Sequence, residues 1–343
     1  MPSADSTGAT ASTGIPGSSG SVTGTDTDTD PSGTSTGEPI DLDDVLRLHH
    51  AQVKGTHNSY HLEPLLPFDA SHEYSHAPLP EQLESQGVRA FELDVHRDLD
   101  GTISVYHILA IDQQTTCDTL EICLMQIKAW SDLNPGHLPV VVWMEIKDDT
   151  GGLSLSSDEQ LLVIDDVVTG VFGPEQLLTP DDVQGEYPTL RARLLAEGWP
   201  TLGELRGRVL VTILDTDEPA EIYTDGYTTL AGRPMFVRAD ADQLELPWAA
   251  IAKLGAGDAE AIAAAHAGNM IIATNVCGAD ESDDDCFAQR QQAMDAGIHM
   301  LKDDFPAPVP ERDYWLEFAD GNPARCNPVT APVECSAIAL EDL

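Results

Sequence analysis

Short apolar runs alternate with amphipathic stretches along the chain between residues 51 and 301. Eight runs have the length of buried strands: Ala51–Val53, Ala90–Val95, Ile103–Tyr106, Val140–Ile146, Val209–Leu214, Met235–Val237, Met270–Thr274 and His299–Leu301. Five stretches between them have helical spacing: Leu79–Gln86, Leu120–Trp130, Asp158–Val168, Ala259–His266 and Phe287–Asp295. Strands that alternate with helices indicate a parallel α/β sheet, and eight of them favour a closed TIM-type (β/α)8 barrel.

Two features bear on this fold prediction. A doubly wound open sheet is the alternative, but no Gly-x-Gly-x-x-Gly follows the first strand. Thr216–Arg233, between the fifth and sixth predicted strands, has turn-forming residues where a helix is expected. The predicted barrel is therefore irregular at that connection.

Residues 1–40 differ from the rest of the chain, because they are mostly Ser, Thr, Gly and Asp with almost no apolar side chain. Such a segment cannot bury enough surface to offset its ordering entropy. We predict a disordered stalk or linker over residues 1–40. Residues 41–343 then form one barrel domain with a disulfide-stapled C-terminal extension.

Charge excludes some partners. The chain has 17 Lys and Arg against 59 Asp and Glu, a net charge of −42. Such a surface repels nucleic acid and anionic bilayers, so a nucleic-acid partner is not expected. No apolar run reaches the roughly 18 residues of a transmembrane helix, which leaves peripheral membrane contact at most. We expect a monomer.

Six cysteines lie in three close pairs along the sequence. The pairs are Cys117 with Cys123, Cys277 with Cys286, and Cys326 with Cys335. None has the Cys-x-x-Cys spacing of a zinc or redox site, so we interpret them as disulfides. Six cysteines allow 15 connectivities, of which neighbour pairing is the simplest. Disulfides indicate an oxidising compartment, hence a secreted or cell-envelope protein.

Polar residues gather at the ends of the first four predicted strands, where a barrel carries its active site. In chain order they are His57, Asn58, Glu92, Asp94, His107, Glu145 and Lys147. Glu92 and Asp94 are two apart on one strand and therefore share a face. With Glu145 and the amide oxygen of Asn58 they make an all-oxygen ligand set, which favours Ca²⁺ or Mg²⁺ over zinc.

Four segments carry a resemblance to a known family: residues 55–60 (GTHNSY), 91–95 (FELDV), 106–107 (YH) and 144–147 (MEIK). This pattern resembles the phosphatidylinositol-specific phospholipase C family, most closely its bacterial calcium-dependent branch. The similarity extends from about residue 45 to about residue 310, including residues 115–117 and 302–306.

The resemblance implies a lipid-degrading phosphodiesterase. Its metal would be Ca²⁺, with Mg²⁺ less favoured, held by the four ligands named above. His57 would take the proton of an attacking substrate hydroxyl or stabilise the phosphoryl charge, and His107 would protonate the departing alkoxide. The hydroxyl attacks its own neighbouring phosphorus, which produces a cyclic phosphodiester.

Four further residues are candidates for substrate contact. Lys147 would add positive charge at the phosphate, although a plain ion pair with Glu145 is the simpler interpretation. His96 shares the face of Asp94 and is a candidate for contact with substrate. Asp303 and Asp304, at the last strand end, would contact substrate or orient a histidine.

The substrate is less well determined than the reaction. Near the strand ends we find only Lys147 and Lys302, too few cations for a highly phosphorylated headgroup. Phosphatidylinositol, a glycosylated inositol lipid or a soluble inositol phosphodiester fits better. Two alternatives remain: a glycerophosphodiester phosphodiesterase or sphingomyelinase D-like enzyme on the same barrel, and a non-catalytic envelope or adhesion module.

Overall fold

A computed structural model describes residues 41–147, 158–319 and 322–341. The predicted linker over residues 1–40 lies outside these residues. The strands are β1 Ala51–Thr56, β2 Val88–Arg97, β3 Ile103–Val105, β4 Val140–Ile146, β5 Val209–Ile213, β6 Phe236–Ala239, β7 Ile251–Lys253, β8 Ile271–Cys277, β9 Met300–Asp303 and β10 Ala324–Cys326. The α-helices are α1 Leu79–Glu84, α2 Leu120–Leu133, α3 Asp158–Val171, α4 Pro180–Gln184, α5 Leu190–Glu197, α6 Leu202–Leu205, α7 Glu218–Tyr223, α8 Ala259–Ala267, α9 Asp283–Asp295 and α10 Ala337–Leu340.

Eight parallel strands close into a barrel. Their order is β1-β9-β8-β7-β6-β5-β4-β2, and pairing between β1 and β2 joins the two ends of the sheet. The residues of β2, β4 and β5 are nearly all buried, as expected for strands with side chains inside the barrel and helices outside. The predicted TIM-type barrel is confirmed, and the open sheet is excluded by the closing pair.

One of the eight predicted barrel strands was wrong, and one barrel strand was missed. The run Ile103–Tyr106 does not form the third barrel strand, because β3 pairs antiparallel with β2 and extends it beyond the barrel. In its place β7 completes the barrel between β6 and β8. It has three residues, of which the last is Lys253, and the sequence pattern did not predict it.

The irregular connection is also displaced from its predicted position. Between β5 and β6 the chain forms the six-residue α7, so a short helix is present there. Residues 240–250, between β6 and β7, contain turns and no helix. Asp240 begins them, its backbone N–H donating to Gln243 Oε1 over 3.0 Å.

Three disulfides join the neighbouring cysteines: Cys117–Cys123, Cys277–Cys286 and Cys326–Cys335. The third connects β10, which pairs antiparallel with β1, to the segment before α10. In that last segment Glu341 pairs with the buried Arg89 of β2. The C-terminal extension is thus anchored to the barrel.

None of the helices in the described residues is long and apolar enough to cross a bilayer.

Candidate active site

Three of the predicted metal ligands meet at the barrel mouth. Asp94 on β2 lies directly opposite Glu145 on β4 in the parallel register. One oxygen each of Glu92, Asp94 and Glu145 lies within 4.8 Å of the others. Glu92 and Asp94 are buried and Glu145 is half-buried, so the cluster faces the opening through Glu145.

Two lysines neutralise these acids. Lys147 Nζ lies 3.0 Å from Asp94 Oδ2 and 2.6 Å from Glu145 Oε1. Lys302 on β9 crosses the barrel interior to pair with Glu92. Gly55 on β1 leaves room for it, since a Cβ there would lie only 3.0 Å from Lys302 Cγ. The ion pair of Glu145 with Lys147, the simpler sequence interpretation, is therefore present.

Burial and charge displace the pKa values of these groups. Burial, aided by the neighbouring carboxylates of Glu145 and Glu92, raises the pKa of Asp94 against the effect of Lys147. Burial also acts to raise the pKa of Glu92, but the ammonium of Lys302 outweighs it and holds that pKa well below its usual range. The site thus concentrates carboxylates in a place where a cation is favourable.

The carboxylate set fits a hard divalent cation. Among the described residues, Asp94 Oδ1 is buried and has no hydrogen-bond donor. A buried carboxylate oxygen without a partner is costly, and a bound cation removes that cost. Oxygen ligands of this kind suit Ca²⁺.

Asn58, the predicted amide ligand, lies in the turn after β1. Its backbone has φ of 43°, a left-handed conformation that Asn adopts more readily than most residues. The next residue, Ser59, joins the turn to Glu92: Ser59 N–H donates to Glu92 O over 2.9 Å, and Glu92 N–H donates to Ser59 Oγ over 2.7 Å. These two hydrogen bonds hold the turn that carries Asn58 against the strand that carries Glu92 and Asp94.

His57 is held by Asp304. Its Nδ1 lies 3.0 Å from Asp304 Oδ1, and its Nε2 lies 4.0 Å from Glu92 Oε1. Ala279 N–H donates to the other oxygen of Asp304 over 2.9 Å. Burial acts to lower the pKa of His57, but the hydrogen bond to Asp304 and the charge of Glu92 outweigh it, so that pKa is raised.

The side chain of Asp303 has different partners from that of Asp304. It is fully buried, and its carboxylate accepts hydrogen bonds from the Tyr314 hydroxyl and the Phe305 N–H. Burial raises its pKa to about 8. Asp303 therefore ties β9 to the following segment, while Asp304 is the acid that contacts a histidine, and substrate contact by either residue stays a prediction.

His107 follows the third predicted strand, as expected, and lies two residues after β3, which is not itself a barrel strand. Its Nδ1 lies 2.9 Å from Asp112 Oδ2, and the buried His61 approaches the same oxygen with Nε2 at 2.8 Å. Sequence reasoning missed Asp112 and His61, because an acid five residues after a histidine is a weak signal.

His96 is fully buried and lies behind this loop. Its Nε2 lies 2.7 Å from the carbonyl oxygen of Tyr106, and its ring stacks on that of Tyr106 with 3.6 Å between centroids. Contact between His96 and substrate stays a prediction. The contacts of His96 support the residue that precedes His107.

Two cations at the mouth were also missed. Lys253 at the end of β7 and Arg238 on β6 line a cavity of about 320 Å³ together with Glu145 and Asp215. The expectation that only Lys147 and Lys302 lie near strand ends was therefore wrong, in part because β7 was not recognised. Burial raises the pKa of Asp215 to about 6.

A cluster of three carboxylates with a histidine held 4.0 Å from one of them, at a barrel mouth, is typical of a metal-assisted phosphoryl-transfer enzyme. Residues 46–104 and 100–328 match the profile of the family described as phosphoinositide phospholipase C, Ca²⁺-dependent. The chain belongs to this family of phosphodiesterases.

Solved structures agree on the fold. A calcium-dependent phosphoinositol-specific phospholipase C from Pseudomonas sp. superposes with a TM-score of 0.58 at 19% identity, covering 83% of this chain and 96% of that one. A Ca²⁺-dependent phosphatidylinositol-specific phospholipase C from Streptomyces antibioticus gives 0.58 at 17% identity, covering 76% and 95%. No curated protein sequence matches the chain.

Proposed function

We propose that the protein is a secreted, calcium-dependent phosphodiesterase that cleaves an inositol phosphodiester by intramolecular attack. The observation that carries the proposal is the convergence of Glu92, Asp94 and Glu145 within 4.8 Å beside His57. Secretion is supported by three disulfides, which persist in oxidising compartments.

Asn58, Glu92, Asp94 and Glu145 would hold the Ca²⁺. When bound, the ion supplies positive charge at the phosphate and lowers the pKa of a nearby substrate hydroxyl. Lys147 contacts Asp94 and Glu145, and therefore competes with a cation for these two carboxylates. Once displaced, its ammonium is close enough to the mouth to contact the substrate phosphate.

Each of the two histidines has an aspartate at its Nδ1. Asp304 binds Nδ1 of His57, which leaves Nε2 directed to the carboxylates, where it would take the proton of the attacking hydroxyl. Asp112 binds Nδ1 of His107, which leaves Nε2 of His107 to protonate the departing alkoxide. Each carboxylate fixes the tautomer that its histidine needs.

Product analysis tests this function. With phosphatidylinositol in mixed micelles or with soluble glycerophosphoinositol, and with calcium present, we expect phosphorus NMR to show a cyclic inositol phosphate as the first product. The other product of the lipid is diacylglycerol, which carries no phosphorus and is followed by chromatography. A chelator should stop formation of the cyclic phosphate. Release of glycerol phosphate from glycerophosphoinositol instead would favour the glycerophosphodiester phosphodiesterase alternative, and a protein without turnover on either substrate would favour the non-catalytic one.

A lipid substrate is supported by an apolar surface at the mouth, here called the apolar rim and formed by residues 64–68 and 108–111. In it Leu65, Leu66 and Phe68 are 94%, 86% and 81% exposed. The two segments line a hollow of about 570 Å³ and contain no charged residue, although the chain carries −42. The second segment directly follows His107, where a lipid leaving group would depart.

Removing apolar side chains from the rim is expected to weaken contact with lipid. The double variant Leu66→Ser with Phe68→Ser should bind phosphatidylcholine vesicles at least about tenfold less in a sedimentation assay, because burying each side chain contributes about 1.5–3 kcal/mol. Hydrolysis of soluble glycerophosphoinositol should stay unchanged. Leu133→Ser is the matched control, since Leu133 is 82% exposed at the end of α2. Equal vesicle binding by all three proteins would contradict a lipid-facing rim.

A further inference from the structure

Three histidines surround the buried carboxylate of Asp112, which is separate from the cluster of Glu92, Asp94 and Glu145. Asp112 Oδ2 lies 2.8 Å from His61 Nε2, 2.9 Å from His107 Nδ1 and 3.8 Å from His72 Nδ1. Asp112, His61 and His72 are buried, and His107 is partly exposed. The proposed reaction uses only one of these imidazoles and needs only one acid to orient it.

Both ring nitrogens of His61 face oxygen atoms. Its Nδ1 lies 3.0 Å from the carbonyl oxygen of Tyr74, while its Nε2 lies 2.8 Å from Asp112 Oδ2. A contact as short as the second needs a proton or a cation between the imidazole nitrogen and the carboxylate oxygen. An imidazole that donates Nδ1–H to a backbone carbonyl and presents Nε2 is the usual form of a histidine that binds a metal.

Two buried polar atoms of the cluster lack a hydrogen-bond partner among the described residues. They are His72 Nδ1 and Asp112 Oδ1. An unsatisfied buried acceptor destabilises the fold unless something binds it. Both atoms belong to side chains that meet at Asp112 Oδ2. One bound cation at that point could therefore be the missing partner of both atoms.

The donor types select the metal. One ligand atom each from His61, His107 and Asp112 lies within 4.8 Å of the others, and His72 offers a further nitrogen. Ligands about 2.0–2.1 Å from a tetrahedral Zn²⁺ are about 3.3 Å apart, so small side-chain movements convert the observed contacts into a zinc site. Three imidazoles and one carboxylate suit zinc and not calcium.

From this geometry we infer that His61, His72, His107 and Asp112 form a second metal site, which takes Zn²⁺ and inhibits the enzyme. Zinc would replace protons on His61 Nε2 and His107 Nδ1 and release them to solvent. A neutral, zinc-bound imidazole is a much weaker acid than an imidazolium, so His107 could no longer protonate the leaving alkoxide. This inhibition rests on the proposed role of His107, whereas the binding does not.

Zinc binding is tested directly on the full protein with calcium in excess, so that the carboxylate site is filled. Calorimetric titration with ZnCl₂ should show one site per chain. Cobalt(II) in place of zinc should give the intense visible bands of a tetrahedral nitrogen-rich site. Both His72→Gln and Asp112→Asn should weaken binding by at least about tenfold. His266→Gln, a histidine in α8 outside the cluster, is the control and should bind as the wild type does.

Activity provides the second readout. Zinc should inhibit the calcium-loaded wild type and His266→Gln, but spare His72→Gln, each compared with its own rate without zinc. Zinc that binds with the predicted variant pattern yet leaves turnover intact would support the site and contradict His107 as general acid. Absence of a one-to-one site, or equal affinity in His72→Gln, Asp112→Asn and wild type, would overturn the inference whatever the rates show.

Discussion

His107→Ala is expected to lower kcat on phosphatidylinositol by about 10²–10⁴-fold, the usual contribution of a general acid. In the wild type, Asp112 binds Nδ1 of His107, so that Nε2–H is available to the leaving alkoxide. An alkoxide leaves poorly without a proton. A substrate with nitrophenol as its leaving group needs no such help, and the variant should turn it over nearly as fast as the wild type.

His57→Ala is the matched comparison for that experiment. If His57 takes the proton of the attacking hydroxyl, its loss should slow both substrates alike, because both use the same nucleophile. The measurement is kcat for each enzyme with each substrate at saturating calcium. A His107→Ala variant that loses equal activity on both substrates would show that His107 does not act on the leaving group.

Glu92→Gln and Asp94→Asn are expected to abolish calcium binding and to lower kcat by about 10²–10⁴-fold. Each change removes one negative charge from a site whose carboxylates lie within 4.8 Å of one another. Calcium affinity depends on the number of charged ligands, and loss of a metal's charge stabilisation costs several kcal/mol at about 1.36 kcal/mol per tenfold in rate. Calorimetry with CaCl₂ measures the binding, and turnover measures the consequence.

Asp303→Asn is the control for these two variants. Asp303 is an equally buried acid at a strand end, but its carboxylate accepts from Tyr314 and Phe305 and does not face the ligands. It should therefore bind calcium as the wild type does. If Glu92→Gln and Asp94→Asn keep calcium affinity while Asp303→Asn loses it, the assignment of the metal site is wrong.

Local pattern predicted much of the barrel but not the identity of every strand. The runs in β4 and β5 are almost wholly apolar, so they were recognisable as buried strands from their composition. The run containing β3 has the same composition, yet it pairs antiparallel outside the barrel, and nothing local distinguishes the two pairings. β7 has three residues and no pattern of its own, so its place follows from the pairing of β6 and β8 around it.

The sequence by itself determined the chemistry available at the mouth. Alternation along one strand places Glu92 and Asp94 on the same face, and the motif around His57 indicated the family. The tertiary structure alone decided which acid or base each of these side chains pairs with. His57 meets Asp304 across 247 residues, Glu92 meets Lys302 across 210, and His61 meets Asp112 across 51. Such partners depend on how a closed sheet brings distant strands and their loops together, and a period of two or 3.6 residues carries no information on that.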